Sequence, residues 1–198
     1  MVYRYFFTII QKEFTGILLS YLFVFAIIGL STIMQKKKLL SGEGSRKMIH
    51  ILLCNWWILA MMLFKSNIAA SIGPLSFVII NYISYKKKLF GAMERGGGKE
   101  DLGTVYYAIS LLILALVTFS SWSTPVTGAF GILIMGYGDG MAAVIGKRFG
   151  RKKIRIWGGE KSLEGSLTMF IISFITACLL YSIFTGSGNF TKSILIAF

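Results

Sequence analysis

Residues 125–146 read PVTGAFGILIMGYGDGMAAVIG, and this run decides the fold. It holds one charged side chain, that of Asp139, in 22 residues. As a helix the run is about 33 Å long, which matches a hydrocarbon layer about 30 Å thick. Backbone polar groups in lipid must be paired within their own segment, so the run predicts a transmembrane helix.

Further apolar runs lie on both sides of this one. They predict helices at about 14–34, 48–64, 67–85 and 104–122 before residues 125–146, and at 163–184 after them. The whole chain is 55% hydrophobic and only 15% charged, whereas soluble domains are about 25% charged. We therefore expect an all-α fold, with residues 1–198 forming a single integral membrane domain, a polytopic bundle of about six transmembrane helices.

The formal net charge of +13 does not indicate nucleic-acid binding, because the basic residues lie in loops between apolar runs. The loops after the first, third and fifth predicted helices carry 17 of the 21 lysines and arginines. Cytoplasmic loops of membrane proteins carry such an excess. The pattern predicts a multi-pass protein with these three loops in the cytoplasm and both termini outside.

Asp139 stands out because a charge inside an apolar run costs at least about 2.5 kcal/mol on insertion scales. A metal ion or another cation is the natural compensation. Gly136, Gly138 and Gly140 surround the carboxylate and allow a ligand or another backbone to approach closely. The alternative is a structural pair with a lysine or arginine of a neighbouring helix, or a water-filled vestibule.

The segment between the last two predicted helices has the composition of an anion site. It runs from Gly146-Lys147-Arg148-Phe149-Gly150 to Lys161-Ser162-Leu163-Glu164-Gly165. Ser162 suits the N-cap of the last helix, whose start would attract an anion beside Lys161. The spacing is not that of a Walker A loop, because Glu160 and not glycine precedes Lys161.

Two smaller clusters are candidates as well. Arg46, Lys47 and His50 can share one helix face, although a lone histidine is more often a satisfied structural residue. Glu100 and Asp101 follow a glycine-rich stretch at a predicted helix entrance. Alternatively, the two carboxylates only stabilise the helix, by interacting with the positive end of its dipole.

These motifs together resemble a known family. Arg46-Lys47-x-x-His50, Gly138-Asp139-x-x-Ala142 with Gly146 and Gly150, and Lys161-Ser162-x-Glu164-Gly165 are similar in order and spacing to the CTP-dependent lipid kinases. That family contains dolichol kinase, phytol kinase and the CTP-using diacylglycerol kinase. Glu100-Asp101-Leu102-Gly103-Thr104 is most similar to the phytol kinase branch, with Asp101 where that branch has glutamate. The resemblance covers roughly residues 45–175.

The resemblance implies an all-helical membrane enzyme that uses CTP and Mg²⁺ to phosphorylate a membrane lipid alcohol of the phytol, polyprenol (dolichol) or diacylglycerol class. Phosphoryl transfer needs positioning and neutralisation of phosphate charge. The implied catalytic residues are Asp139, which also holds the metal, together with His50, Asp101 and Glu100, where His50 or Asp101 accepts the proton. The implied nucleotide-binding residues are Arg46, Lys47, Gly146, Lys147, Gly150, Lys161, Ser162 and Gly165.

Two other functions fit parts of the pattern. The related phosphatidate cytidylyltransferases share part of the aspartate-containing motif and use the same nucleotide to make CDP-diacylglycerol. A small membrane transporter is the non-enzymatic alternative, with Asp139 as its coupling carboxylate.

The charge asymmetry generates a topological prediction. Single cysteines replacing Lys37, Lys87 and Lys152 should react with an impermeant thiol reagent only from the cytoplasmic side, because each lies in a basic loop. A cysteine replacing Lys65, in a loop of the opposite set, is the control and should react from outside. Labelling of the first three positions from outside would reverse the orientation.

Overall fold

The computed structural model describes residues 2–87, 102–156 and 159–185. Seven helices and two short strands are present there, in the order α1 (Val2–Lys36), α2 (Gly42–Leu53), α3 (Trp56–Leu63), α4 (Asn67–Lys87), α5 (Gly103–Thr118), α6 (Pro125–Phe149), β1 (Lys153–Ile156), β2 (Gly159–Ser162) and α7 (Leu163–Thr185).

Five helical segments of the described chain are long and apolar enough to cross a membrane: Ile10–Lys36, Gly42–Leu63, Asn67–Lys87, Pro125–Phe149 and Leu163–Phe184. The second of them combines α2 and α3. The remaining predicted helix, at 104–122, corresponds to α5, which is apolar but has only 16 residues. The all-α polytopic bundle expected from the sequence is confirmed.

Successive helical segments run antiparallel. Ser31 near the end of α1 donates a hydrogen bond to the carbonyl of Ser45 at the start of α2, at 3.1 Å. Asn81 near the end of α4 likewise reaches the carbonyl of Thr104 at the start of α5, at 3.0 Å. We call the end of the bundle where α1, α4 and α6 end and α2, α5 and α7 begin the basic end.

Glycines of α6 provide its closest contacts with other helices. Gly136 and Gly140 are four residues apart and share one helix face, against which Cys54 and Ile51 of the second span pack. A methyl group on either glycine would overlap these side chains. Gly138 points elsewhere, and a methyl group there would lie 2.6 Å from Ser173 Oγ of α7. Small residues that let helices approach closely are a common basis of packing between membrane helices.

The second span is interrupted, although the sequence predicted one helix over 48–64. At the junction of α2 and α3, Asn55 and Trp57 make backbone hydrogen bonds to the third residue before them, not the fourth. This is the tighter geometry of a 3₁₀ turn. The interruption faces Gly136, and the hydroxyl of Tyr137 on α6 donates to Asn55 Oδ1 at 2.6 Å. Contacts with α6 therefore stabilise the break.

Three helix boundaries differ most from the sequence prediction. α2 begins at Gly42 and not at residue 48, because the side chain of Ser41 caps it there. α1 begins at Val2 and not near residue 14, because no proline or glycine lies between residues 2 and 13 to stop the helix beyond its apolar part. α5 ends at Thr118 and not at residue 122. There Ser120 Oγ donates to the Val117 carbonyl at 2.6 Å, and a side chain that bonds to nearby backbone competes with helix continuation.

The hairpin β1–β2 was not predicted, since residues 147–161 were interpreted only as a basic loop. The strands pair antiparallel, with Lys153 opposite Ser162 and Ile154 opposite Lys161. The Gly158-Gly159 pair and the alternation of Ile154 and Ile156 with basic residues are typical hairpin signals that the interpretation missed.

The glycine packing of α6 generates a prediction about stability. Gly136→Ala should lower the free energy of unfolding by about 1–3 kcal/mol, because the new methyl group overlaps Cys54 in a packed interface. Gly131→Ala on the same helix is the matched control, since a methyl group there meets only Leu114 at 3.9 Å. Melting of both variants in detergent tests this, and equal melting temperatures would show that the α2–α6 contact is not close.

Candidate active site

Asp139 lies next to two residues of α2. Lys47 Nζ is 3.6 Å from Asp139 Oδ2, and His50 Nε2 is 4.0 Å from the same oxygen. Arg46, the third member of the predicted cluster, turns away and forms an ion pair with Glu43 of its own helix. The structure therefore brings Lys47, His50 and Asp139 together across two helices, without Arg46.

The glycine contacts explain why Asp139 is accessible. A helix turns by about 100° per residue, so Asp139 points between the face of Gly136 and Gly140, which meets α2, and the face of Gly138, which meets α7. Its side chain is 51% exposed although both adjacent glycines are buried. We call the space in front of Asp139, between the faces that meet α2 and α7, the crevice. Because hydrocarbon does not solvate a carboxylate, this space must be open to water or to a polar ligand.

His50 has a distinctive environment. Its ring packs against the ring of Tyr107 on α5, with the centroids 4.8 Å apart. Its Nε2 atom is buried and has no hydrogen-bond partner among the residues that the structure describes, and the same holds for the hydroxyl of Tyr107. Buried polar groups are normally hydrogen-bonded, so the unpaired atoms of these two packed side chains are candidate contacts for a ligand. Tyr107 was not singled out in the sequence, where it is one tyrosine in an apolar run.

The second group of predicted residues lies where α6 ends and α7 begins. A methyl group on Gly146 would lie 2.9 Å from Ser162 Oγ and 3.3 Å from Gly165 Cα. Gly146 and Gly165 therefore act as close-packing positions between the helices, and Gly150 also lies against Ser162. Their predicted role in nucleotide binding stays a prediction.

Ser162 caps α7 as expected, because its hydroxyl accepts a hydrogen bond from the Gly165 amide at 3.1 Å. Glu164 was quoted in a motif but given no role of its own. Its carboxylate accepts a bond from the Lys152 amide at 3.4 Å and so ties the hairpin to the start of α7. Ser162 and Glu164 therefore occupy part of the helix terminus at which the sequence predicted an anion site. Lys161, which is exposed on β2, lies beside this terminus.

Lys147 and the acidic pair Glu100 and Asp101 are the remaining predicted site residues. Lys147 is exposed near the end of α6, eight residues and therefore about 12 Å along the helix from Asp139. Glu100 and Asp101 lie outside the described residues.

The residues of the crevice fit a magnesium ion only if a bound ligand supplies further oxygen donors. Within the described residues, no group of three or more histidine, cysteine, aspartate or glutamate side chains is arranged to hold a metal ion. Asp139 thus offers a single, half-exposed carboxylate, with the Lys47 ammonium close by. Mg²⁺ often binds through one or two carboxylates together with waters and substrate phosphates, so this donor fits if a ligand brings phosphates.

The fold and the site define an integral membrane protein with an ionisable centre in a crevice toward the basic end of its bundle. The sequence is 31% identical over 179 residues to the phytol kinase of Synechocystis sp., an alignment that covers 86% of this chain and 71% of that protein. The chain belongs to the family of membrane lipid-alcohol kinases that contains the phytol kinases and dolichol kinase.

Other relatives extend this comparison. Identity is 30% over 160 residues with phytol kinase 1 of Arabidopsis thaliana, covering 75% of this chain and 51% of the relative. It is 31% over 168 residues with dolichol kinase of Saccharomyces cerevisiae, covering 78% of this chain and 30% of the yeast protein. The chain thus spans about half the length of the plant relative and less of the yeast one. No protein-family model and no solved structure matches the chain.

Proposed function

We propose that this protein transfers the terminal phosphoryl group of CTP to the hydroxyl of a membrane lipid alcohol, with the help of Mg²⁺. The observation that supports this most directly is the meeting of Asp139 with Lys47 and His50 in a crevice within the bundle. A metal-binding carboxylate, a phosphate-binding cation and a proton acceptor are the groups that phosphoryl transfer to an alcohol needs. Membership of the lipid-alcohol kinase family supports the same reaction class.

Lys47 and Lys161 are the cations proposed to bind the phosphates. Lys47 lies within the crevice, with its side chain 21% exposed, whereas Lys161 is exposed on β2 at the basic end. Lys147 adds positive charge at this end of the bundle, whereas the charge of Arg46 is compensated by its ion pair with Glu43. Such fixed positive charge neutralises phosphate oxygens, which is the main electrostatic requirement of this reaction.

In the proposed reaction, the alcohol oxygen forms a bond to the terminal phosphorus of CTP, and the bond from that phosphorus to the bridging oxygen breaks, so CDP leaves. The alcohol proton goes to a base. His50 is the described candidate because its buried Nε2 is unpartnered in the described part of the chain, while Asp101 stays the alternative.

Asp139 would hold the Mg²⁺ ion, which supplies charge neutralisation to the phosphates when it is bound. The ammonium of Lys47, 3.6 Å away, orients the carboxylate in the absence of ligand. The choice of CTP as donor rests on the motif resemblance. The charge distribution of the loops supports a nucleotide that enters from the cytoplasm.

The two alternative functions have less support. The relatives compared above are named phytol kinase and dolichol kinase, and none of them is named a cytidylyltransferase or a transporter. The reaction products distinguish the two enzymes, because a kinase releases CDP and a cytidylyltransferase releases pyrophosphate.

The direct test is to incubate purified protein with CTP or ATP and with phytol, a polyprenol, diacylglycerol or phosphatidate. CDP and a phosphorylated alcohol are expected. Asp139→Asn should abolish turnover without a large loss of thermal stability, because the half-exposed pair with Lys47 contributes at most about 1 kcal/mol.

Glu13→Gln is the matched control, since Glu13 contacts Ser66 at the opposite end of the bundle. An Asp139→Asn variant that is active but markedly less stable would contradict the catalytic assignment. Release of pyrophosphate in the presence of phosphatidate would contradict the kinase proposal itself.

A second test addresses the phosphate-binding cations. Lys161→Ala should weaken CTP binding about tenfold or more, because a hydrogen bond to a charged group contributes about 1.5–3 kcal/mol. Lys37→Ala removes the same charge from another loop of the basic end and should leave binding unchanged. Equilibrium binding of labelled CTP measures both. Equal affinities in the two variants would assign Lys161 to membrane topology alone.

A further inference from the structure

A cavity lies inside the bundle between α1, α4, α5 and the junction of α2 and α3. It contains about 550 Å³ of atom-free space, a volume that includes the open space at its mouth. Its wall is almost entirely apolar, formed by side chains such as Val24, Leu53, Trp56, Phe77 and Leu111.

The cavity is elongated and begins near the basic end. Along α1 its wall extends from Ile28 to Ser20, and along α4 from Asn81 to Gly73. Each stretch spans eight residues, or about 12 Å of helix. Asn81 and Ile28 are nearer the basic end, so Gly73 and Ser20 mark the deep end of the cavity.

The polar groups in the wall are mostly satisfied by the protein. Tyr21 donates to Ser76 at 2.7 Å, and Asn81 donates to the Thr104 carbonyl at 3.0 Å. The exception is Tyr107, whose buried hydroxyl has no partner within the described part of the chain. A buried hydroxyl left unpaired is destabilising, and a ligand hydroxyl would remove that penalty.

Tyr107 also connects the cavity to the candidate active site. Its side chain lines the cavity, and its ring packs on His50, which is 4.0 Å from Asp139. The apolar space and the ionisable crevice therefore meet at the contact between Tyr107 and His50. A molecule with a hydrocarbon chain and a terminal hydroxyl matches both sides of this meeting point.

We propose that the cavity binds the hydrocarbon chain of the acceptor alcohol and that Tyr107 hydrogen-bonds its hydroxyl beside His50. The assignment rests on the proposed kinase function and adds where the acceptor binds. The protein encloses about 12 Å of chain next to the hydroxyl, and that segment supplies the apolar contacts.

Filling the deep end of the cavity tests the proposal. A methyl group at Gly73 meets Trp56 at an ordinary 3.8 Å, and both residues line the cavity, so we expect the side chain of Gly73→Leu to extend into it. We expect kcat/KM for phytol to fall at least about tenfold, because chain contacts are excluded. For a five-carbon alcohol, which does not reach position 73, kcat/KM should be unchanged, as should the KM for the nucleotide.

Gly29→Leu is the matched control, because Gly29 lies on α1 with open space around it and does not line the cavity. It should leave kcat/KM for both alcohols unchanged. Tyr107→Phe should lower kcat/KM for both alcohols about two- to tenfold, as expected for one neutral hydrogen bond. If kcat/KM fell equally for both alcohols in Gly73→Leu, or did not fall for phytol, the cavity assignment would be overturned.

A binding experiment separates this proposal from the kinase proposal. A phytol analogue with a photoreactive diazirine in its chain should label α4 and α5 at Gly73 and Leu111 in the wild-type protein, and excess phytol should suppress the labelling. Labelling confined to lipid-facing residues such as Ile68 and Ile79 would overturn it. Labelled cavity residues together with no phosphorylation of any alcohol would contradict only the kinase proposal.

Discussion

Close packing of α6 through its glycines is the contact on which the candidate site depends. Gly136 and Gly140 admit the second span, and Gly138 and Gly146 admit α7, so one helix is held on two sides at backbone distance. Asp139 remains accessible because it points between these two faces. A larger side chain at any of these glycines would separate helices that carry the other groups, so the packing of the bundle and the placement of the carboxylate have the same physical origin.

The same bundle divides its interior into two environments. Toward the basic end, Lys47, His50 and Asp139 form a polar crevice in which charges partly compensate one another. Between α1, α4 and α5, the interior is an apolar cavity whose polar atoms are almost all paired within the protein. Phosphorylation of a lipid alcohol, the reaction of this family, needs both environments next to each other, and they adjoin at the contact of Tyr107 with His50.

The sequence predicted the helices well because length and hydropathy are local properties, and the charge inside an apolar run identified Asp139. The spacing of Lys47 and His50 on one helix also predicted that the two side chains share a face. It did not predict that Arg46 pairs with Glu43, or that Tyr107 lies against His50, because such contacts depend on how separate helices pack. Gly136, Gly138 and Gly140 were expected to allow a ligand or another backbone to approach, and their described contacts are with neighbouring helices. Gly146, Gly150 and Gly165 were interpreted as nucleotide-binding positions. The contacts described for them are also within the protein, since the same residue type serves both purposes.

The length of α5 has a consequence for the surrounding lipid. Its 16 residues span about 24 Å, which is about 6 Å less than a typical hydrocarbon layer. Such hydrophobic mismatch is relieved by local thinning of the bilayer, at a fraction of a kcal/mol per Å. Thinning beside α5 would bring the headgroup region closer to the depth of Tyr107. The elastic properties and thickness of the host membrane thereby become part of the environment of the candidate site.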